Sequence, residues 1–317
     1  MTPNVPPDEP LASPRIVVLT GPTGTGKTAL AVELVERFGG EIVSCDSRQV
    51  YKYLDVGTAK PSEDELRRAP HHLVDYVDPA EPYAVTRYRD DADAVLADLA
   101  ARGQTAWVVG GSWHYIQALI DRIEPPQVPP NPELRAELER EAATSGPEAI
   151  HDRLAALDPV AAAAIDRRNV RRVVRALEVT LTLGRPFSEV GRVRGAARPA
   201  LKLALSMPRD EVYARVDTRV DQMVAAGWLD EVRDLIERGY DESMPSLSSH
   251  GYREMMAVVR GTTSLEEAAQ KTKWAVHAYI RRQTSWLKSQ PDYQWIDTGP
   301  DALSQSAALV PSHLALS

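Results

Sequence analysis

The sequence holds a single cysteine, Cys45, in 317 residues. A lone thiol excludes an internal disulfide framework and a cysteine-built zinc site. The seven histidines, at positions 71, 72, 114, 151, 250, 277 and 313, show no metalloprotease spacing, so no zinc is expected. No stretch approaches the roughly 18 uninterrupted apolar residues of a membrane helix, and no membrane partner is expected. Internal repeats and long low-complexity tracts are also missing. The first fourteen residues, Met1–Pro14, are proline-rich and acidic, without the basic segment and apolar run of a signal peptide. The expectation is a cytoplasmic protein with a disordered tail over 1–14. With 43% hydrophobic and 26% charged residues the chain is not wholly disordered. At roughly 150 residues per domain, its length suggests two structural units.

The net charge of −8 alone argues weakly against a nucleic-acid partner, but the charge is unevenly placed. From Arg167 to Lys202 there are nine Arg and one Lys against Glu178 and Glu189. From Lys271 to Lys288 there are five basic residues and no acid. Two such runs in an acidic chain point to a polyanionic partner, the plain alternative being solvated helix faces.

The hydrophobic pattern alternates short β-branched runs with helical spacing. Arg15–Thr20 reads as a buried parallel strand, Thr28–Phe38 as a helix stopped by Gly39-Gly40, and Glu41–Cys45 as a second strand. His72–Tyr76 is a candidate third strand, followed by a helix over Ala84–Arg102, a strand over Thr105–Val109 and a helix over Ser112–Ile120. Five of the eight residues from Pro125 to Pro132 are proline, a semi-rigid linker. Ala- and Arg-rich helical patterns follow up to Leu183 with no strand among them. The strand pattern resumes at Leu201–Ser206; long helices follow to Ser289, and Gln294–Ile296 is a candidate last strand. The predicted fold is α/β, a parallel sheet flanked by helices with an all-helical insertion domain, and the Gly-rich turn Gly21–Thr28 between its first strand and helix makes it P-loop NTPase-like. The boundaries expected are 15–122 and 200–317 for the catalytic core and 123–199 for the insertion.

Gly21-Pro22-Thr23-Gly24-Thr25-Gly26-Lys27-Thr28 fits the phosphate-binding pattern G-x-x-x-x-G-K-[ST], with a strand before it and a helix after. Glycines let backbone N–H groups converge on phosphate oxygens, and the helix N-terminus adds a favourable dipole. Lys27 supplies a point charge, and the Thr28 hydroxyl is a ligand for Mg²⁺. The motif specifies a di- or triphosphate, not its fate. An ordinary P-loop nucleotidase carries an Asp at the end of a later strand to hold the metal. Here the strand over 105–109 runs into Gly110-Gly111-Ser112 without an acid. The acid comes instead after the second strand, as Asp46. Ligands of open α/β sheets sit at the carboxyl ends of strands, so Asp46 and Ser112 are both expected at the phosphate site. A carboxylate there suits a general base, the alternative being a turn cap.

The ordered set Gly21–Thr28, Asp46–Tyr51, Asp55–Pro61, His71-His72-Leu73 and Val109–Ser112 closely resembles the tRNA dimethylallyltransferases, or tRNA isopentenyltransferases. The resemblance continues through Leu157–Ala161, Arg175–Val179, Arg215–Met223, Gly251–Met255 and Arg281–Trp286. It implies transfer of a dimethylallyl group from dimethylallyl diphosphate to N6 of adenosine 37 in tRNA, with release of diphosphate. It further implies that the P-loop, Lys27, Thr28 and Mg²⁺ hold the diphosphate, that Arg219 neutralises it, and that Asp46 takes the N6 proton. Ser112 matches a family threonine whose hydroxyl donates to the leaving oxygen. The acceptor base must leave its stack, which an anticodon loop permits at least cost. The RNA contacts expected are Asp46, Ser47, Arg48 and Gln49; Arg171, Arg172 and Arg175; His250, Gly251, Tyr252 and Arg253; and Arg281, Arg282 and Trp286. Ion pairing is the plain alternative for the arginines, and core packing for Trp286. The expected partner is the tRNA anticodon stem-loop, bound by a monomer.

Two departures stand out. Trp113 and His114 are bulkier than the family's usual residues there, and Arg48 adds a charge beside the proposed base. The alternatives are a free-adenylate isopentenyltransferase of the cytokinin type, which needs no basic insertion, an ATP-dependent small-molecule kinase, which needs the second acid, and a non-catalytic RNA-binding protein.

Overall fold

The apolar run Arg15–Thr20 forms β1, at the middle of a parallel sheet. The computed structural model describes residues 15–124, 126, 128–190 and 193–315, so the tail expected over 1–14 lies outside them. In chain order β1 is followed by α1 (Lys27–Phe38), β2 (Glu41–Ser44), α2 (Glu63–Arg68), β3 (His71–His72), α3 (Val85–Ala101), β4 (Thr105–Val109) and α4 (Trp113–Leu119). Then come β5 (Ile123–Glu124), α5 (Pro132–Ser145), α6 (Pro147–Leu157), α7 (Pro159–Ala164), α8 (Val170–Leu183), α9 (Phe187–Val190) and β6 (Val193–Arg194). The chain closes with β7 (Leu201–Ser206), α10 (Arg209–Ala225), α11 (Trp228–Glu237), α12 (Tyr252–Val259), α13 (Leu265–Lys288), β8 (Gln294–Asp297) and α14 (Ala302–Leu314).

The main sheet has the order β3-β2-β4-β1-β7-β8, with every pairing parallel. Side chains of a strand alternate between faces, and both faces here are covered. Ile16, Val18, Ala106, Val108 and Ala204 pack with Tyr88 and Leu96 of α3 and Ile116 of α4. Val17, Leu19, Trp107, Val109, Leu203 and Leu205 pack on the other face with α1 and α14. Burying one such side chain fully is worth about 1.5–3 kcal/mol, which is why these β-branched runs sit centrally. A third cluster joins Val50, Tyr51 and Leu54 to α11 and α12 through Trp228, Val232, Tyr252 and Met255.

Residues 121–197 form a compact unit of their own, and the remainder forms the other. The smaller unit packs α5, α6, α7 and α8 around Leu138, Ile150, Leu154, Val173 and Leu177. It is not purely helical: β5 and β6 pair antiparallel, two residues each. Strands so short carry no readable alternation. The third strand is also shorter than predicted. After His72 the backbone turns with positive φ at Leu73 and Asp75, and the Asp75, Tyr76 and Val77 amides bond to Gln49 and Val50 instead.

Candidate active site

The turn between β1 and α1 is held open by left-handed glycines. Gly24 and Gly26 have φ of 87° and 83°, a region costly for any residue with a Cβ. Gly26 caps α1 in this conformation, so the first amides of the helix point into the turn. Thr25 Oγ1 donates to the Pro22 carbonyl at 2.9 Å. Lys27 folds back over the loop and donates to the carbonyls of Gly21 (3.0 Å) and Pro22 (2.8 Å). Burial lowers the Lys27 ammonium to about 8; Asp46 nearby opposes that shift and Arg219 adds to it.

A cavity of ≈ 410 Å³ opens over this turn, and Lys27, Thr28, Asp46, Gln49 and Arg219 all line it. Residues from three segments distant in sequence thus meet at one cavity. A larger cavity, ≈ 730 Å³, is lined by Pro22, Thr25, Tyr213, Arg281 and Trp295 among others. Neither Lys27 nor Asp46 lines it, so the smaller cavity is the candidate phosphate site. The Arg219 guanidinium is desolvated, which lowers its proton affinity, while Asp46 and Glu65 support its charge.

Asp46 caps its own turn, and that geometry leaves the general-base reading open. Its Oδ1 accepts the amides of Arg48 (2.8 Å) and Gln49 (3.3 Å), capping its own turn. Oδ2 has no protein hydrogen bond among the described residues. One oxygen fixes the carboxylate and the other stays available to a substrate proton. The turn is braced from both sides. Ser112 Oγ accepts the Ser47 amide at 3.1 Å, which leaves its own proton to donate. Gln49 Nε2 donates to the carbonyls of Thr58 (3.2 Å) and Ala59 (2.9 Å) in the Asp55–Pro61 segment. That segment is held in turn by Glu231, whose carboxylate accepts the amides of Asp55, Val56 and Gly57 and the Tyr252 hydroxyl. Cys45, just before Asp46, is fully buried, and burial pushes its thiol up to about 12.

Two residues missed at the sequence level complete the site. Glu231 is one, and Gln283 of α13 is the other. Gln283 Oε1 accepts the Thr23 amide at 2.9 Å, and its Nε2 donates to the Gly111 carbonyl at 3.0 Å.

The IPP transferase family profile matches residues 49–290, and an isopentenyl transferase profile matches residues 14–75. The chain is 44% identical over 295 residues to the tRNA dimethylallyltransferase of Roseiflexus sp. (strain RS-1), covering 93% of this chain and 97% of that one. It is 46% identical over 282 residues to that of Thermomicrobium roseum, 89% of this chain and 86% of the relative. This chain belongs to the IPP transferase family. Solved structures agree. A full-length tRNA isopentenylpyrophosphate transferase from Bacillus halodurans aligns with a TM-score of 0.71 at 35% identity, covering 95% of this chain and 97% of that chain. A eukaryotic dimethylallyltransferase, described as acting on tRNA, aligns with a TM-score of 0.78 at 26% identity, over 96% of this chain and 80% of that chain.

Within this IPP transferase, several residues expected at RNA have other duties. Trp286 is buried in the first core, edge-on to Trp113 at 5.6 Å and to Tyr293 at 6.1 Å, so packing accounts for it. Trp113 is part of that packing, while His114 is exposed on α4. Tyr252 is fully buried with its hydroxyl on Glu231, and Gly251 is buried beside it. Arg175 donates to Glu178 at 2.5 Å and to the carbonyls of Pro126 and Val128, an internal ion pair rather than a phosphate grip. Arg48 does not lie free beside Asp46: its guanidinium donates to the carbonyls of Pro245 (2.6 Å) and Ser246 (3.1 Å). In contrast, Arg171, Arg172, His250, Arg253, Arg281 and Arg282 are all exposed. Arg281 donates to the Tyr213 hydroxyl at 3.2 Å, and Arg282 lies 5.8 Å from the Tyr279 ring centroid.

Proposed function

We propose that this chain transfers the dimethylallyl group of dimethylallyl diphosphate to N6 of adenosine 37 in a tRNA anticodon stem-loop. The observation that carries this is the meeting of Lys27, Thr28, Arg219 and Asp46 around one cavity. The first three suit a diphosphate, and the fourth suits the amine that attacks the carbon at its far end.

In this reading the P-loop amides, Lys27 and Arg219 take the diphosphate and stabilise the charge that grows as the C1–O bond breaks. Lys27 exchanges the Gly21 and Pro22 carbonyls for phosphate oxygens. The adenine N6 bonds to C1 of the dimethylallyl group, diphosphate leaves, and the N6 proton passes to Asp46 Oδ2. Ser112 holds the Ser47 amide and offers its hydroxyl proton to the leaving oxygen. Mg²⁺ fits the same cavity, because this ion keeps several waters and binds through few protein oxygens plus substrate phosphates, and Thr28 offers such an oxygen there. Thr28 would hold it, and its charge would further neutralise the diphosphate. The exposed Arg171 and Arg172, in the insertion assigned to 123–199, together with His250, Arg253, Arg281 and Arg282, are the RNA contacts we retain.

The deciding measurement offers dimethylallyl diphosphate and Mg²⁺ with two acceptors in competition, an anticodon stem-loop bearing adenosine 37 and free AMP. The stem-loop is expected to be prenylated and AMP to react poorly. Asp46→Asn should keep RNA and diphosphate binding while turnover falls by about 10²–10⁴-fold. Preference for AMP would hand the chain to the adenylate-specific transferases.

A further inference from the structure

We propose that Gln283 is a positioning residue for the transfer reaction, its carboxamide locking the diphosphate loop to the turn that carries Ser112. The proposal rests on the transferase reaction above.

Gln283 stands on the inward face of α13 with Ile280 and Leu287, and it is only 7% exposed. A buried carboxamide is costly unless both ends are bonded. Here both are, and neither partner belongs to α13. The acceptor end takes the Thr23 amide, in the loop after β1. The donor end reaches the Gly111 carbonyl, in the turn after β4. Those two strands are neighbours in the sheet, and the same pair of turns is stitched again where Thr20 Oγ1 donates to the Gly110 carbonyl at 2.8 Å.

Residue 111 makes the contact possible. A Cβ there would lie 2.4 Å from Gln283 Nε2, so only glycine lets the carboxamide reach the carbonyl undisplaced. The residue after Gly111 is Ser112, whose hydroxyl accepts the Ser47 amide next to Asp46. One side chain therefore sets the separation between the diphosphate cradle and the turn that braces the base. It also occupies the Thr23 amide, leaving the later amides of the loop for the ligand. A transfer reaction is sensitive to that separation, because leaving oxygen, carbon and amine must stay in line. This role differs from that of Arg281 and Arg282, the two exposed residues just before it, which the proposed function gives to RNA.

The test uses the full chain carrying Gln283→Leu, which keeps the bulk and removes both hydrogen bonds. The kcat on the stem-loop should fall by about 10- to 100-fold, the cost of a misplacement near 1 Å. The Kd for the stem-loop should stay within about twofold of the unaltered protein. Hydrogen–deuterium exchange over residues 21–28 without substrate should speed up. Gly111→Ala is the second variant: its new methyl displaces the carboxamide, so it should reproduce the kcat loss, and the double variant should be no worse than either alone. Unchanged kcat and unchanged exchange in both variants would overturn the proposal, as would a defect confined to stem-loop affinity. Turnover of the unaltered protein tests the transferase reading separately, and the exchange measurement tests the lock whether or not that reading stands.

Discussion

Lys27 carries its charge at a cost that a bound diphosphate relieves. Burial, the dominant cause, brings the free ammonium down to about 8, so the empty site loses its cation as the pH rises through that value. An anionic ligand favours the charged form and restores the proton. The second-order rate constant kcat/KM for dimethylallyl diphosphate should therefore fall above pH 8, by about tenfold per unit at the limit. The kcat of the saturated enzyme should hold over the same range. A pH profile measured with the stem-loop saturating separates the two. The residues of this cradle were legible because the chemistry fixes their spacing: glycines, lysine and threonine must fall at set intervals for amides to converge. Asp46 was legible from its place after a strand. Gln283 was not, since it stands in a basic run that reads as a solvated face. The signal was there in the period: Ile280, Gln283 and Leu287 are spaced i, i+3 and i+7, so the glutamine occupies an inward position. Glu231 gave no such cue, because the amides it holds are about 175 residues away in the chain.

Among the elements, α8 shows how one helix divides its charges. Arg171 and Arg172 face solvent, while Arg175 turns inward to Glu178, three residues on. Burial of Glu178 works against its charge, yet hydrogen bonds from Arg135, the Asn131 amide and Arg175 outweigh it and hold the carboxylate near 2. A carboxylate depressed on folding stabilises fully above its unfolded value, here the ordinary 4.5, and loses that contribution as the pH falls toward 2. The smaller unit should lose stability across that window, and Glu178→Gln should flatten the loss in acid titrations followed by circular dichroism. The sequence showed α8 plainly but not its pairing, since Arg135 lies on α5, 43 residues earlier. Long strands and helices emerged from periodicity. The short pieces did not: β5 and β6 have two residues each, and α2 has six with no buried side chain. Yet α2 carried its own marker, a capping box in which Ser62 and Glu65 satisfy each other's backbone amides. An antiparallel row of side-chain pairs joins α10 to α13: Tyr213 meets Arg281, Asp217 meets His277 at 2.8 Å, and Asp221 meets Lys273. This ladder accounts for part of the basic run at 271–288 without any RNA.

For the molecule as a whole, the uneven charge is only partly a nucleic-acid signal. Once Arg175 and Lys273 are assigned to internal pairs, the cations left for RNA are fewer than the sequence count suggested. Among the described residues, Arg171 and Arg172 have no ion-pair partner. Replacing both by Ala should weaken stem-loop binding and make the slope of log Kd against log salt shallower by one to two, about one per lost phosphate contact. An unchanged slope would show that α8 meets something other than phosphate. The family and the parallel-sheet fold were readable from the ordered motifs, which run through nearly the whole length of the sheet-bearing part. The brace linking the turns after β1, β2 and β4 was not, because it is built from residues brought together only by the sheet order.

The solitary thiol of Cys45 offers a practical dividend. Sealed from solvent and reluctant to ionise, it should ignore maleimide reagents while the native fold persists. Cysteines introduced at exposed positions such as Ser145 and Gln305 would then be the sole reactive handles, ready for a donor and an acceptor fluorophore. Energy transfer between them could follow the two units in single molecules during a catalytic cycle, with the wild-type cysteine left in place.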